Sequence, residues 1–533
     1  MPEESLPRVA QAARGGFSVE YRGRSLYSRI APRNGPESIV RDLSPLPNTL
    51  YFIPSPLLGY GIQSLLDRIP ESSAVLAVEA EPALAELTRS RLPPEIAAHP
   101  RFRFLQTPFT ADRCFPYPSV FRRVLEVRLS GGKALHPKIY DSALQSIEAE
   151  LNRFWRNRMT LVRMGRLWIR NIVRNLSRLQ WADVREPPAW GGPVAVCGAG
   201  PSLDRAIHWL SSERRRLRIL ACDTALGPLI LRGIIPDAVV CLEGQVYNLK
   251  DFLPVGGIEI PVFADLSSHP SVFRAVRGPK ILTQTRFEKL ELMDRLERLS
   301  LPVLSVPPLG SVGVLAVHIA RRLTKDPVFL TGLDFSFPPG STHAKGAPAL
   351  LSDAFRENRF YKARGQWNAA WPTSTGDSRV SGGSGILMRT YASLLSEEIC
   401  GDTGFFDIRG AGLPLDTPRI SFREASRILD EAGIDDAASG RVLSGRSVPP
   451  EKLRAAAKIF LDQESDRLDG LLSSLGGRGS LADRILECDW LYSWFPDRER
   501  VPELSPDIRN RLLAEALDWT RRIREARTEL EES

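Results

Sequence analysis

Cysteine and histidine are scarce in this chain of 533 residues, which contains six of each. No Cys-x-x-Cys pair occurs, and the cysteines stand far apart. This spacing supports neither a structural zinc site nor a disulfide framework. A cysteine within an apolar strand behaves as a small hydrophobic residue, so we expect a reducing compartment. The six cysteines are at positions 114, 197, 222, 241, 400 and 488.

Long apolar runs are also missing. No stretch approaches the roughly 20 apolar residues that a membrane-spanning helix needs, so we expect no membrane span. The first residues, Met1-Pro-Glu-Glu-Ser, lack the apolar segment of a secretory signal, and we expect a cytoplasmic protein. The composition is ordinary for a globular protein, with 43% hydrophobic residues. The length exceeds a single core and predicts two to four domains.

Acidic residues are absent from residues 151–180, a predicted amphipathic helix that carries eight arginines. The pattern has two interpretations: a surface for an anionic partner or a nucleotide phosphate, or the solvated face of a linking helix, which we favour. Trp155 and Trp168 fit the apolar side, so a nucleic-acid surface with interleaved aromatics is not expected. The arginines of the main basic stripe are Arg163, Arg166, Arg170, Arg174 and Arg178.

A regular alternation of strands and helices begins at Val194 and predicts an α/β domain with a parallel sheet. Strands are predicted near 194–198, 219–222, 238–242 and 327–331, and shorter ones at 261–264, 280–283 and 302–306. Ligands of such sheets bind outside the carboxyl ends of the strands. Asp223, Glu243 and Asp334 follow three of these strands. We therefore expect these three acids to converge at one edge of the sheet.

The first of these strands runs into a glycine turn, Cys197-Gly-Ala-Gly-Pro-Ser-Leu203. Glycine allows backbone N–H groups to approach a ligand, and a helix N-terminus favours an anion. Gly198, Gly200, Pro201 and Ser202 are therefore candidates for a nucleotide-phosphate cradle. The alternative is an ordinary strand-to-helix turn, since the spacing is not Gly-x-Gly-x-x-Gly.

A second candidate loop, Ser341-Thr-His-Ala-Lys-Gly346, follows the strand that ends before Asp334. His343 would serve as a general base and Lys345 as a phosphate contact. The alternative is a solvated loop histidine. Residues 370–386 are rich in Ser, Thr and Gly and predict a further loop.

The two ends of the chain differ in pattern. Near the N-terminus, a strand at 50–53, a glycine turn and a strand ending at Glu79 are the parts of a nucleotide-binding β-α-β unit. Glu79 would hold a ribose hydroxyl, and the alternative is a Rossmann-like scaffold that binds nothing. The C-terminal part shows helical spacing. Four regions are predicted: an α/β Rossmann-like region 1–150, a basic linking helix 151–190, a central catalytic domain 191–420 and a helical domain 421–533.

Taken together, several motifs resemble the 6-hydroxymethylpterin diphosphokinase MptE-like domain. They are Cys197–Leu203, the strand end at Asp223, Pro236–Gln245 and Gly332–Gly346. The wider layout resembles the motility-associated factor (Maf) flagellin glycosyltransferases, which have a Rossmann-like N-terminal region, this central domain and a helical C-terminal region. The resemblance covers roughly residues 45–420. The Gly-Pro-Ser-Leu turn is also similar to that of bacterial sialyltransferases, which use CMP-sugars.

The resemblance implies a glycosyltransferase that moves a nonulosonic, sialic-acid-like sugar from a CMP-sugar to Ser or Thr of flagellin. His343 would be the base, Asp223 and Glu243 would face the nucleotide or sugar, and Asp334 and Lys345 would help to bind the nucleotide. No cofactor is required by this chemistry, and Mg²⁺ stays an open alternative. The family usually has Asp where this chain has Glu243, which puts a metal-binding role there in doubt.

Two other functions stay open on the same residues. A pterin diphosphokinase-like enzyme would transfer diphosphate from ATP with Mg²⁺, and the carboxylates and Lys345 would suit it. The second is a non-catalytic flagellin-binding assembly factor, in which the basic helix and the helical C-terminal region would be the functional parts.

Overall fold

The computed structural model describes residues 6–109, 121–287, 289–338, 341–356, 358–359, 385–432, 445–477 and 480–532. The chain forms two compact units, Met1–Thr160 and Leu161–Ser533. The finer division into four regions stays a prediction. Cys114 and all but the last two residues of the loop predicted over 370–386 lie outside the described residues.

The first unit contains a small antiparallel sheet and a parallel α/β sheet. The antiparallel sheet has the order β1-β2-β3, and the parallel sheet has the order β6-β5-β4-β7. Strands β4 and β5 are wholly buried, because helices cover both faces of a parallel sheet. The elements are β1 (Arg8–Gln11), β2 (Phe17–Tyr21), β3 (Arg24–Ser25), α1 (Asn34–Asp42), β4 (Thr49–Pro54), α2 (Ile62–Arg68), β5 (Ala74–Glu79), α3 (Pro82–Arg91), α4 (Pro94–Ala97), β6 (Phe102–Gln106) and β7 (Arg123–Glu126). Helix α5 (Pro137–Leu176) begins in this unit.

The carboxylate of Glu79, expected to hold a ribose, is buried instead. Its Oε2 accepts a bond from the Ser55 hydroxyl at 2.7 Å, and its Oε1 accepts one from the Tyr140 hydroxyl at 2.5 Å. Oε1 also accepts the backbone N–H groups of Ala80 and Glu81. The side chain is fully buried, so the ribose-binding prediction for Glu79 is wrong. Its carboxylate instead ties strand β5 to α5 and to the loop after β4.

The second unit is built on an eight-stranded, wholly parallel sheet. Its elements are β8 (Val194–Cys197), α6 (Ser202–Ser212), β9 (Arg218–Cys222), α7 (Leu226–Ile230), β10 (Ala238–Cys241), α8 (Leu249–Phe252), β11 (Val262–Asp265), α9 (Pro270–Ala275), β12 (Lys280–Thr285), α10 (Glu291–Glu297), β13 (Val303–Val306), α11 (Val312–Leu323), β14 (Val328–Thr331), α12 (Pro348–Arg356), α13 (Ile386–Ile399), β15 (Phe405–Asp407), α14 (Phe422–Glu431), α15 (Pro450–Leu475), α16 (Leu481–Glu487) and α17 (Pro506–Glu531). The α/β fold class predicted from the sequence is confirmed.

The order of the strands creates one reversal point. The order is β13-β12-β11-β10-β9-β8-β14-β15, so the chain adds strands outward from β8 and then returns to its other side. Crevices for ligands form where the strand order reverses, at the carboxyl ends of the strands. In this sheet that position lies between β8 and β14.

The C-terminal helices share one hydrophobic core with the sheet. Leu266 and Leu282, at β11 and β12, belong to the same buried cluster as Phe460 on α15 and Trp519 on α17. The C-terminal half of α5 also contributes to this cluster. Trp490, Trp494 and Phe495 are buried there as well. Among the described residues, no helix combines the length and the apolar character that crossing a bilayer requires.

Candidate functional site

The turn after β8 lies directly against the turn after β14. A Cβ atom at Gly198 would lie 2.3 Å from the carbonyl oxygen of Gly332, so no larger residue fits. Gly332 has a φ of +65°, which favours glycine there as well. A Cβ at Gly200 would lie 2.1 Å from Oδ2 of Asp334. The glycines therefore serve the close approach of two loops at the reversal point of the sheet.

The backbone amides of this turn are already bonded within the protein. The N–H groups of Gly198 and Gly200 donate to the carbonyls of Thr331 and Gly332, at 2.9 and 2.7 Å. The N–H of Ser202 donates to Oδ2 of Asp334 at 3.1 Å. A cradle that binds phosphate through these three amides is thus not what the structure shows. Nucleotide binding by Gly198, Gly200, Pro201 and Ser202 stays a prediction.

Asp334 occupies the N-terminal end of α6. Its Oδ2 accepts the Ser202 hydroxyl at 2.9 Å, and that hydroxyl in turn accepts the Gly332 amide. Burial raises the pKa of Asp334, while the bonds from Ser202 and the charges of Arg409 and Arg205 oppose the rise. The positive end of α6 therefore faces a carboxylate of the protein itself. Asp334 joins the two loops of the reversal point.

Arg409 supports the loop after β14 and was not predicted from the sequence. Its guanidinium is fully buried and donates to both Asp407 oxygens, at 2.9 and 2.8 Å. It also donates to the carbonyls of Leu333 and Leu413. Asp407 and Arg409 are only two residues apart in the sequence, where both charges are visible. The contact of Arg409 with the Leu333 carbonyl, however, forms because β15 pairs with β14.

The predicted base lies in a loop that covers the reversal point. The N–H of Ala344 donates to the carbonyl of Ala199 at 2.8 Å, and the N–H of Lys345 donates to the Asp204 carboxylate at 3.1 Å. His343 is half-buried, with Nδ1 3.0 Å from the Thr342 hydroxyl. The structure thus brings the loop of His343 and Lys345 onto the turn after β8.

A second polar group lies at the ends of β9 and β10. The Asn248 amide donates to Oδ2 of Asp223 at 2.7 Å and to Oδ2 of Asp251 at 3.3 Å. Both carboxylates are almost fully buried, and Oδ1 of Asp251 has no hydrogen-bond partner within the described part of the chain. Burial, reinforced by the charge of Asp251, raises the pKa of Asp223 to about 7. Burial also raises the pKa of Asp251 to about 6.

Asn248 and Asp251 were missed by the sequence analysis, although Asp223 was found. The short segment after β10 folds back over β9, and only that return brings them together. Glu243 lies beside this group, is exposed, and accepts the Gln245 amide at 2.9 Å. Its charge contributes to the raised pKa of Asp223 and of Tyr391 on α13. The described residues hold no set of three side chains suited to ligating a metal.

Comparison with known proteins agrees with this arrangement. Residues 168–340 match the family model described as 6-hydroxymethylpterin diphosphokinase MptE-like. This segment is therefore similar to MptE-like domains. It includes the strands β8 to β14, the turn after β8 and the carboxylates Asp223, Glu243 and Asp334, while the loop of His343 lies just beyond its end.

One relative matches nearly the whole chain, and another matches a shorter part of it. A protein of Treponema pallidum (strain Nichols), described as uncharacterized, is 28% identical, with 96% of this chain and 94% of that protein covered. Another protein of the same organism, described in the same way, is 35% identical over 18% of this chain and 48% of its own length.

A solved structure extends the likeness to the fold. The structure of the MAf glycosyltransferase from Magnetospirillum magneticum AMB-1 is similar over 99% of this chain and 93% of that one, with a TM-score of 0.56 and 14% identity. The resemblance seen in the sequence is therefore confirmed, by the family model for the MptE-like domain and by the fold for the Maf layout.

Proposed function

We propose that this protein is a glycosyltransferase that moves a nonulosonic sugar from a CMP-sugar to Ser or Thr hydroxyls of flagellin. The observation that carries the proposal is the meeting of three features at the reversal point of one sheet. These are the turn after β8, the Asp334 loop and the covering loop of His343. The shared fold with a protein named as a MAf glycosyltransferase supports the same class of reaction.

This transfer reaction requires few functional groups from the protein. The anomeric carbon forms a bond to the acceptor oxygen while its bond to the phosphate oxygen of CMP breaks, through an oxocarbenium-like transition state. The acceptor hydroxyl loses its proton to a base, and CMP leaves with the bonding electron pair. The protein must therefore orient the nucleotide, tolerate the leaving phosphate and place a base near the acceptor.

We assign the base to His343, because the loop that carries it closes over the reversal point. Asp223 has a pKa of about 7, which is also suited to proton transfer near neutral pH. Glu243, exposed beside Asp223, would contact the nucleotide or the sugar. Asp334 would position the turn, and Lys345 would approach the phosphate.

The description of the matching family favours a second candidate, a diphosphokinase that uses ATP and Mg²⁺. The neighbouring carboxylates of Asp223 and Asp251 are of the type that binds Mg²⁺. A nucleotide screen separates the candidates. CMP, CDP, UDP and ATP are added with and without Mg²⁺, and the melting temperature of the full chain is measured.

CMP-selective stabilisation without Mg²⁺ is the expected result. Stabilisation by ATP only with Mg²⁺ would favour the diphosphokinase. No shift with any nucleotide would overturn both and leave a binding factor for flagellin. The direct assay follows release of CMP from a CMP-nonulosonate with purified flagellin, and mass spectrometry locates the added sugar.

A further inference from the structure

The arginines of α5 are not equivalent. Arg166 forms ion pairs with Glu515 and Asp518 of α17, at 3.2 and 2.9 Å, and Arg178 pairs with Glu529 at 2.8 Å. Part of the stripe that the sequence predicts as a solvated face therefore binds another helix. These ion pairs neutralise the charges of Arg166 and Arg178 but not those of the arginines between them.

Arg170 and Arg174 lie in that stretch, one helical turn apart. Neither guanidinium forms an ion pair or a hydrogen bond with any described residue. Arg170 is half-buried, and its Nε is shielded from solvent and has no partner among the residues that the structure describes. A buried donor without an acceptor is rare in folded proteins and calls for an explanation such as an absent ion. An anion at this place would supply the acceptor.

The adjacent face of α5 is fixed onto the edge of the sheet. The Asn171 amide donates to the carbonyls of Gly244 and Ser267, both at 2.9 Å. The Asn175 amide donates to the carbonyls of Leu266 and Ser268, at 2.8 and 2.9 Å. These carbonyls follow β10 and β11. Arg170 and Arg174 are therefore held at the carboxyl ends of the strands.

Two further basic residues face this place. His269 directly follows Ser268, and its N–H donates to the carbonyl of Glu243 at 3.1 Å. Its Nδ1 accepts the Ser271 amide at 3.3 Å, so the proton of the neutral ring lies on Nε2 and is a donor. Arg274 is exposed on α9 and has no ion pair with a described residue. Burial and the charges of Arg170, Arg174 and Arg274 lower the pKa of His269. We call these four residues the basic cluster: Arg170, Arg174, His269 and Arg274.

We infer that the basic cluster is an oxyanion site that holds the phosphate or carboxylate group of a small ligand bound at this edge of the sheet. Guanidinium groups bind both oxyanions through paired N–H donors. The cluster follows β11, three strands from β8, which corresponds to about 14 Å across the edge. The cluster and the reversal point thus lie at the same edge of the sheet. Identifying the ligand as a CMP-sugar rests on the proposed function, whereas the oxyanion site does not.

The test compares ligands that differ only in the charged group. Affinities of the full chain for CMP, cytidine, pyrophosphate and N-acetylneuraminate are measured by calorimetry at two salt concentrations. The variants are Arg174→Gln and Arg274→Gln, both at exposed positions that should not disturb folding. Arg163→Gln is the control, because it removes the same charge from an exposed position of the same helix.

We expect Arg174→Gln to weaken binding of at least one anionic probe about tenfold or more, and Arg163→Gln to leave it unchanged. A loss confined to CMP and pyrophosphate identifies phosphate as the bound group, and a loss confined to N-acetylneuraminate identifies the carboxylate. Pyrophosphate binding through the cluster without any CMP binding would sustain the site but reject the proposed donor. CMP binding that is equal in wild type, Arg174→Gln and Arg274→Gln would overturn the inference and keep the proposed function. No binding of any anion would also overturn it.

Discussion

His343 is the residue whose role the arrangement defines most narrowly. Replacing it by Ala removes the assigned base, while the contacts of Ala344 and Lys345 that hold the loop are made by the backbone. We expect transfer to fall by about 10²–10⁴-fold with CMP binding kept. His208→Ala, at an exposed position on α6, is the control and should retain activity. Full activity of His343→Ala would remove this residue from the mechanism.

The raised pKa of Asp223 leads to a prediction about how the stability of the protein depends on pH. Its pKa of about 7 lies above the ordinary value near 4, so the folded state binds more protons between these pH values. The folded protein therefore loses stability as pH rises from about 4 to 7, and the loss is complete above pH 7. Asp223→Asn removes this penalty. Between pH 5 and pH 8 the stability of the variant relative to wild type should improve by about 2–3 kcal/mol.

Denaturant unfolding at the two pH values measures this difference. Asp466→Asn, at an exposed position on α15, is the matched control and should show almost no pH-dependent change. An Asp223→Asn variant whose stability follows the wild-type pH profile would show that the Asp223 carboxylate does not carry the raised pKa.

At the scale of elements, α10 is joined to α15 by a buried ion pair. Arg295 donates to both carboxylate oxygens of Glu464, at 2.6 and 3.0 Å, and the Trp490 indole donates to the same carboxylate at 3.1 Å. Both partners are almost fully buried. Removing one partner leaves a buried charge unpaired, so Glu464→Ala should cost about 3–5 kcal/mol.

An exposed pair on α16 supplies the comparison. Glu487, which pairs with Arg484 at 2.8 Å, is about half exposed, and Glu487→Ala should cost less than about 1 kcal/mol. The double variant Arg295→Met with Glu464→Leu should recover most of the loss, because neither charge is then buried alone. Similar costs for Glu464→Ala and Glu487→Ala in urea unfolding would contradict the importance of the buried pair.

Local patterns explain why many elements could be predicted. The strand predicted at 327–331 is observed at Val328–Thr331, and the strand predicted at 219–222 is observed at Arg218–Cys222. Continuous apolar runs and helical spacing are properties of neighbouring residues, so the sequence displays them directly. The antiparallel sheet of residues 8–25 was missed because β1 and β3 are too short and too exposed to show alternation.

The same difference between local pattern and long-range contact applies to the candidate site. Parallel strands place Asp223, Glu243 and Asp334 at one edge, which strand ends alone predict. Asn248 and Asp251 could not be found in this way, since a loop must return over β9 before they meet Asp223. The Asp334 carboxylate accepts the Ser202 amide rather than facing a ligand. This orientation also depends on how the two loops meet.

At the scale of the whole molecule, we expect the sheet and the C-terminal helices of the second unit to unfold together. Their residues form one buried cluster, in which the Trp519 ring contacts those of Trp490 and Trp494 at centroid distances of 5.1 and 6.0 Å. Trp519→Ala should cost about 3–5 kcal/mol. Because Leu266 and Leu282 of the sheet belong to the same cluster, the loss should appear in the strands as well as in α15 and α17.

Hydrogen exchange at increasing urea concentration measures this coupling, since amides that open in one cooperative unit report the same free energy. In the Trp519→Ala variant, slowly exchanging amides of β11 and β12 should lose as much protection as those of α15. Leu517→Ala is the control, because that side chain is more than half exposed on the same helix and should change stability by less than about 0.5 kcal/mol. Loss of protection in α15 and α17 with β11 and β12 unchanged would mean that the helical region folds as a separate domain, as the division at residue 420 predicts.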